Sequence, residues 1–380
     1  MTFASDLSHY INLSHATAWN KAKASGYAAP DEPGCVSSFL SAKLVRRLRS
    51  IIMTHTAPGA KVLCRGIFTH QTPKVKLTGQ NAVEIGDLMF IHKHVSTNPQ
   101  IPDSGRALLL QAKKTLKSKT GSLASGNQAV QFELYRDWAP FKGTSRLPIG
   151  PVGSPHWDFQ AMAGPNPGTT AADSSGYLTI FKEEAYLIPF VTPGPSFLRL
   201  LAHYPNSCSW SSGSSPAIGT SAIRGVDCPN DFGTALETFL CGGSGRVFTP
   251  GTLVGPDHWS IFVNTMLWES SRANGNYLYN DVKQGVLSGM RGRNLRLMSS
   301  ALAIGHSIAQ MYEDAMYGLP PDSRDYTVLH DLTRILRDNS DRPPIVEELS
   351  EFSGPVGGHV PLLLVITIGN DGNPFLAVKR

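Results

Sequence analysis

The sequence predicts an α/β protein: a mixed β-sheet core flanked by helices, with additional C-terminal α/β elements. Three observations carry that expectation. An apolar series at three- and four-residue spacing comes first, short strand-like runs follow it, and a second helical series ends just before a proline.

Residues 35 to 53, CVSSFLSAKLVRRLRSIIM, place Phe39, Leu40, Leu44, Leu48, Ile51 and Ile52 on one face of an expected amphipathic helix. Lys43, Arg46, Arg47 and Arg49 fall on its polar face, either as a solvated surface or as one that contacts phosphates. The pieces AKVLCRGIFTH and PKVKLTG then read as strands, as does VEIGDLMFIHKHV, where a compact apolar run follows an acid. RALLLQAKK comes next, across a loop containing Pro and Gly, so the two runs are expected as neighbours in one sheet. NQAVQFELYRDWAPF keeps Val130, Leu134 and Trp138 in helical register.

Farther on, YLTIFKEEAYLIPFV reads as one or two strands and residues 206 to 221 as a mobile Ser/Gly-rich loop. DFGTALETFLCGGSGR and DHWSIFVNTMLWESSR read as helices, the first closed by its Gly pair. Further helices are expected from Asn294 to Tyr317 and over DYTVLHDLTRILRDN, before a terminal strand in HVPLLLVITIGNDGNPF. The expected division is an N-terminal extension over 1–34, a core over 35–270, and a C-terminal helical region with the terminal strand over 271–380, either separate or part of the same domain.

Composition sets bounds without choosing a function. With 41% hydrophobic and 17% charged residues, 36 Gly and 27 Pro in 380 positions, the chain is a folded, loop-rich protein. A net charge of +5 permits an anionic partner. Five cysteines without a C-x-x-C pair read as free thiols in a reducing compartment. Neither a signal peptide nor a membrane span is expected, because no basic region precedes an apolar one and VPLLLVITIG is too short to cross a bilayer. A cytoplasmic protein follows.

The chemistry concentrates at two strand ends. Residues i and i+2 of a strand share a face, so Gln111 and Lys113 point one way and Ala112 the other. If the strands are adjacent, Asp87 meets both, with Glu84 close by. A carboxylate, an amide oxygen and the Ala112 carbonyl are ligands suited to a hard cation, and Lys113 can orient a water or neutralise charge on a phosphate.

Asp87 followed by Gln111-Ala112-Lys113 resembles the signature of the PD-(D/E)XK nuclease superfamily, in the Q-x-K form of its Mrr-type branch. The blocks VEIGDLMFI, ALLLQAKK, QFELYRDWAPF, GTALETFLCGGSGR and DHWSIFVNTML also resemble a group of uncharacterised bacterial proteins. The resemblance implies a restriction-endonuclease-like fold over 35–270 and hydrolysis of DNA phosphodiesters with Mg2+ or Mn2+, in a bacterial defence or restriction system. Asp87, Gln111, Ala112 and Glu84 then hold the metal, and Asp87, Gln111, Lys113 and Glu84 are the catalytic set. Gly86 stands where the superfamily often has Pro, and Gln111 replaces an anionic ligand. Many relatives add an acid from the first helix; residues 35 to 53 contain none, so Glu84 is expected in its place.

Lys114, Lys117 and Lys119 form a basic run suited either to nucleic-acid contacts or to a solvated loop. Gln131 and Tyr135, with Glu133, are secondary candidates on the following helix. His92 and His94 form an H-x-H pair, as metal ligands or as ordinary strand-end residues. CGGSGR lacks the G-K-[ST] of a nucleotide-binding loop, and GTS and GSS lack the setting of a nucleophile elbow. The implied partners are DNA and an activating or inhibiting protein, with a homo-oligomer left open and no membrane. The alternative is a non-catalytic nucleic-acid-binding or scaffold protein on a degenerate nuclease core.

Overall fold

The computed structural model describes residues 2–24, 27–68, 73–98, 100–116, 120–123, 127–145, 147–161, 169–183, 208–214, 225–272, 360–369 and 374–375. The helices expected over 294–317 and in DYTVLHDLTRILRDN lie outside them. Helix α1 (Phe3–Ala24) buries Leu7, Tyr10, Ile11 and Ala18, so residues from the expected N-terminal extension join the hydrophobic core.

The one helix expected over 35–53 is two, α2 (Glu32–Phe39) and α3 (Ala42–Thr54). Asp31 starts α2 by accepting a hydrogen bond from the Gly34 N–H at 2.8 Å, and Pro33 sits in the first turn, where its missing donor costs nothing. Leu40 closes α2, and Ser41, in extended backbone, restarts the chain into α3. The apolar series that reads as one helix is therefore shared by two.

The strands are β1 (Lys61–Ile67), β2 (Lys74–Leu77), β3 (Val83–Glu84), β4 (Leu88–Ser96), β5 (Ser104–Thr115) and β6 (Thr120–Ser122). After helix α4 (Asn127–Asp137) come β7 (Phe141–Ser145), β8 (Ser175–Phe181), β9 (Trp210–Ser214), β10 (Gly225–Asp227) and β11 (Asn230–Asp231). Helix α5 (Phe232–Leu240), β12 (Arg246–Phe248), helix α6 (His258–Arg272) and β13 (Leu362–Gly369) complete the series. Strand β9 corrects the loop expected over 206–221: Trp210 is fully buried and anchors a strand although the residues after it are Ser and Gly.

A mixed, eight-stranded sheet runs β1-β13-β4-β5-β8-β9-β11, with β12 also paired to β5. β4 and β5 are antiparallel, Leu88 facing Leu110, and β5 and β8 are parallel. The same edge of β5 pairs with β12 at Gly105–Ala107 and with β8 from Leu109 onward, which is why β5 is long. The terminal strand β13 lies between β1 and β4, antiparallel to the first and parallel to the second.

Beneath the sheet, Phe90 packs between Phe232, Phe239 and Phe39, at ring-centroid distances of 5.6, 5.8 and 6.0 Å. Emptying such a position costs about 3–5 kcal/mol for Phe→Ala. A second, smaller sheet has the order β3-β2-β7. No helix among the described residues is long and apolar enough to cross a membrane.

Candidate active site

Asp87 sits one residue before β4, and its backbone N–H donates to the Leu110 carbonyl at 2.9 Å, which extends the β4–β5 ladder by one step. That step sets Asp87 beside Gln111. Asp87 Oδ2 accepts from Gln111 Nε2 and, at 2.8 Å, from the Ala112 N–H. Strand alternation does the rest: Gln111 and Lys113 line a cavity, and the Ala112 side chain is fully buried, so only its backbone reaches the site. Gln111 Oε1 is buried and has no hydrogen-bond partner.

The cavity, about 330 Å³, is lined also by Glu84 and Lys74 from the small sheet, Gln131 from α4, and Glu32 and Pro33 from α2. Glu32 is the residue that reading the sequence missed. It stands three residues before position 35, in the first turn of α2. It is held by β5, whose Lys114 N–H donates to Glu32 Oε1 at 2.6 Å.

Helix α4 fixes the approach to Asp87. Gln131 Nε2 donates to the Glu84 carbonyl at 3.1 Å and the Tyr135 hydroxyl to the Ile85 carbonyl at 2.7 Å. Gly86 follows from this contact: a Cβ there would stand 2.9 Å from the Tyr135 oxygen. Tyr135 is buried and positions backbone, whereas Gln131 both positions and lines the cavity. Glu133 lies on the exposed side of α4, where it accepts from Gln80 at 3.4 Å.

Lys114 does not reach into the cavity. Its Nζ donates to the Pro30 carbonyl and lies 5.6 Å from the Trp19 ring centroid, so it ties α1 and the start of α2 to β5. Lys117 and Lys119 lie outside the described residues.

The electrostatics of the cavity are those of crowded acids. Burial, then the Glu84 carboxylate, pushes the Asp87 carboxyl up to about 8, with Lys113 and the Ala112 N–H pulling the other way. Burial also raises Glu84, against the opposing pull of Lys74 and Lys113, and Glu32 adds to the repulsion at both. A divalent cation would relieve this repulsion. The orphaned Gln111 oxygen and the acids on three sides fit one, with Asp87, Gln111, Glu84 and Glu32 as the residues that would hold it. Among the described residues, no three His, Cys, Asp or Glu side chains form a ready-made metal cage; the acids line the cavity without closing on one another.

The far end of β4 carries the H-x-H pair. His92 Nε2 and His94 Nδ1 lie 3.0 and 2.9 Å from the Thr367 hydroxyl of β13, beside a cavity of about 260 Å³. No family model matches the chain, and no curated protein or solved structure matches it either.

Proposed function

We propose that this chain is a Mg2+-dependent nuclease of restriction-endonuclease-like fold that hydrolyses DNA phosphodiesters. The observation that carries the reading is the convergence of Asp87, Gln111 and Lys113 with Glu84 and Glu32 on one cavity. Further support comes from the order of elements: a helix bearing an acid, an antiparallel strand pair bearing Asp87 and Gln111-Ala112-Lys113, then α4 and, after β7 of the small sheet, strand β8 parallel to β5. The terminal strand β13, between β1 and β4, is an addition to that pattern.

Each residue has a task. Lys113, almost wholly buried, presents an ammonium to a phosphoryl oxygen where negative charge grows. Glu84, raised by burial, lines the cavity as a second carboxylate beside Asp87 and would help hold the cation. Gln111 and the Ala112 N–H hold Asp87 in place. When bound, Mg2+ supplies Lewis acidity and neutralises phosphate charge. Hydrolysis joins the water oxygen to phosphorus and breaks one ester bond, giving a phosphate monoester and a free hydroxyl.

The scaffold alternative draws on the neutral Gln111 and on the lack of an acid in residues 35 to 53; Glu32 on the cavity wall weighs against the second point. A time course on plasmid and linear DNA in Mg2+ tests the proposal. Asp87→Ala and Lys113→Ala are each expected to slow cleavage about 10³-fold while duplex binding persists, the scale of losing a central electrostatic group. Ca2+ should support binding with little cutting. Cleavage by Lys113→Ala at the wild-type rate overturns the mechanism, and a wild type inactive in every divalent metal returns the scaffold reading.

A further inference from the structure

Residues 33 to 83 contain eight Lys or Arg and no Asp or Glu, so this stretch carries +8 in a chain whose total is +5. The acids that bound it, Glu32 and Glu84, both line the cavity. Within the stretch, β2 alternates: Val75 and Leu77 are buried, while Lys74 is half-buried and Lys76 exposed on the other face. In register, Lys76 lies directly opposite Lys142 of β7, which is also exposed.

Like charges facing each other across a strand pair repel. Among the described residues neither Lys76 nor Lys142 has an ion-pair partner, so this sheet bears a repulsion that nothing in the described fold offsets. Lys74, two residues from Lys76 on the same face, reaches the cavity itself. A polyanion laid along this face would remove the repulsion and arrive at Lys113. The reach is suitable: alternate residues of a strand stand about 6.6 Å apart, close to twice the axial step of about 3.4 Å between phosphates of one DNA strand.

We propose that the face formed by Lys74, Lys76 and Lys142 is the track along which a nucleic-acid backbone approaches the cavity, an inference that rests on the nuclease reading. The basic face of α3 is the rival surface. Two of its four basic side chains are engaged with the protein, Arg49 donating to the Val62 carbonyl at 2.8 Å and Arg47 to His9 at 3.3 Å. None of its four basic residues lines the cavity, whereas Lys74 does.

Fluorescence anisotropy with labelled duplex and single-stranded DNA oligonucleotides, in EDTA and over a series of NaCl concentrations, reads binding without cleavage. Lys76→Ala combined with Lys142→Ala is expected to weaken binding at least tenfold and to lower the salt slope by roughly 2, one unit for each phosphate that the variant leaves without its lysine. Lys142→Glu should weaken binding as well yet raise the Tm, because it turns a repulsive pair into an attractive one; a merely structural pair would not separate the two readouts in this way. Arg46→Ala with Arg47→Ala is expected to keep the wild-type slope. Unchanged affinity and slope in the sheet variants overturns the track, as does a larger loss in the α3 variant. Equally tight binding to phosphatidylserine vesicles, lost in the same variants, overturns the nucleic-acid assignment. Binding that depends on the track in a wild type that never cleaves leaves the track standing and removes the nuclease reading, so the two failures are distinguishable.

Discussion

At one end of the β4–β5 pair, Glu32, Glu84 and Asp87 face a common cavity; at the other, His92 and His94 both meet the Thr367 hydroxyl. Both ends bury polar groups, and they do so by opposite electrostatics. Burial lowers the His92 imidazole to about 3, with His94 and Arg106 adding to the shift, so its stable form is neutral. Asp87 is raised to about 8 by burial and by its fellow acids, so at neutral pH it favours a proton or a cation that the fold does not supply. At the histidine end, burial itself favours the neutral imidazole of His92. Crowded acids are held in place by the rest of the fold, and on the nuclease reading proposed above this is where a cation would bind.

The largest effect that would break this contrast is catalytic. Glu32→Gln keeps the shape and a hydrogen-bond acceptor for the Lys114 N–H while removing a charge from the cavity, and it should lower Mg2+-supported cleavage about 100-fold. Cleavage at the wild-type rate would make Glu32 a helix cap and no more.

Next in size is stability against pH, where the two ends are expected to act in opposite directions. A carboxyl whose proton affinity is raised by folding stabilises fully below its unfolded value near 3.8, and the contribution is lost as pH rises through about 8. A histidine whose affinity is depressed contributes above its unfolded value near 6.5, and the contribution is lost as pH falls toward about 3. In EDTA, Asp87→Asn should therefore raise the Tm at pH 8 to 9, by roughly 2–4 °C for each kcal/mol recovered, and have little effect near pH 4. Mg2+ should stabilise the wild type at pH 8 and not this variant. A Tm that is lower in Asp87→Asn at pH 8 would place Asp87 among structural residues, with the histidines.

The parts of the site legible in the sequence are those fixed by local rules. Strand alternation placed Gln111 and Lys113 together, and two apolar runs separated by a short loop placed Asp87 beside them. Apolar spacing alone starts the helix at Cys35 and passes over Glu32, although Asp31-Glu32-Pro33 is itself a start signal: an N-cap, an acid and a proline in the first turn. The break at Leu40-Ser41 is hidden for the same reason, since the apolar spacing continues across it. The position of β13 has no local signal at all. Nothing in HVPLLLVITIG states that it will pair with residues 61 to 67 and 89 to 96, because long-range pairing is decided by the whole sheet. Strand β9 depends on one buried Trp and on its neighbours, and serine-rich sequence conceals it.

The smallest expected effect concerns Gln111, whose two amide atoms play different parts. Nε2 donates to Asp87 Oδ2, and Oε1 is buried without a partner. Gln111→Glu removes the donor and adds a fourth carboxylate to a cavity that already holds three. Without metal, the variant should lose stability above neutral pH, as the added charge raises Asp87 and Glu84 further. With metal, an anionic oxygen replaces a neutral one, so half-maximal cleavage should need a few-fold less Mg2+. The two shifts have one cause and opposite signs, which is what makes the variant informative. A lower Tm in EDTA together with an unchanged or higher Mg2+ requirement would mean that Gln111 serves the site only by holding Asp87, and that its oxygen is not a ligand.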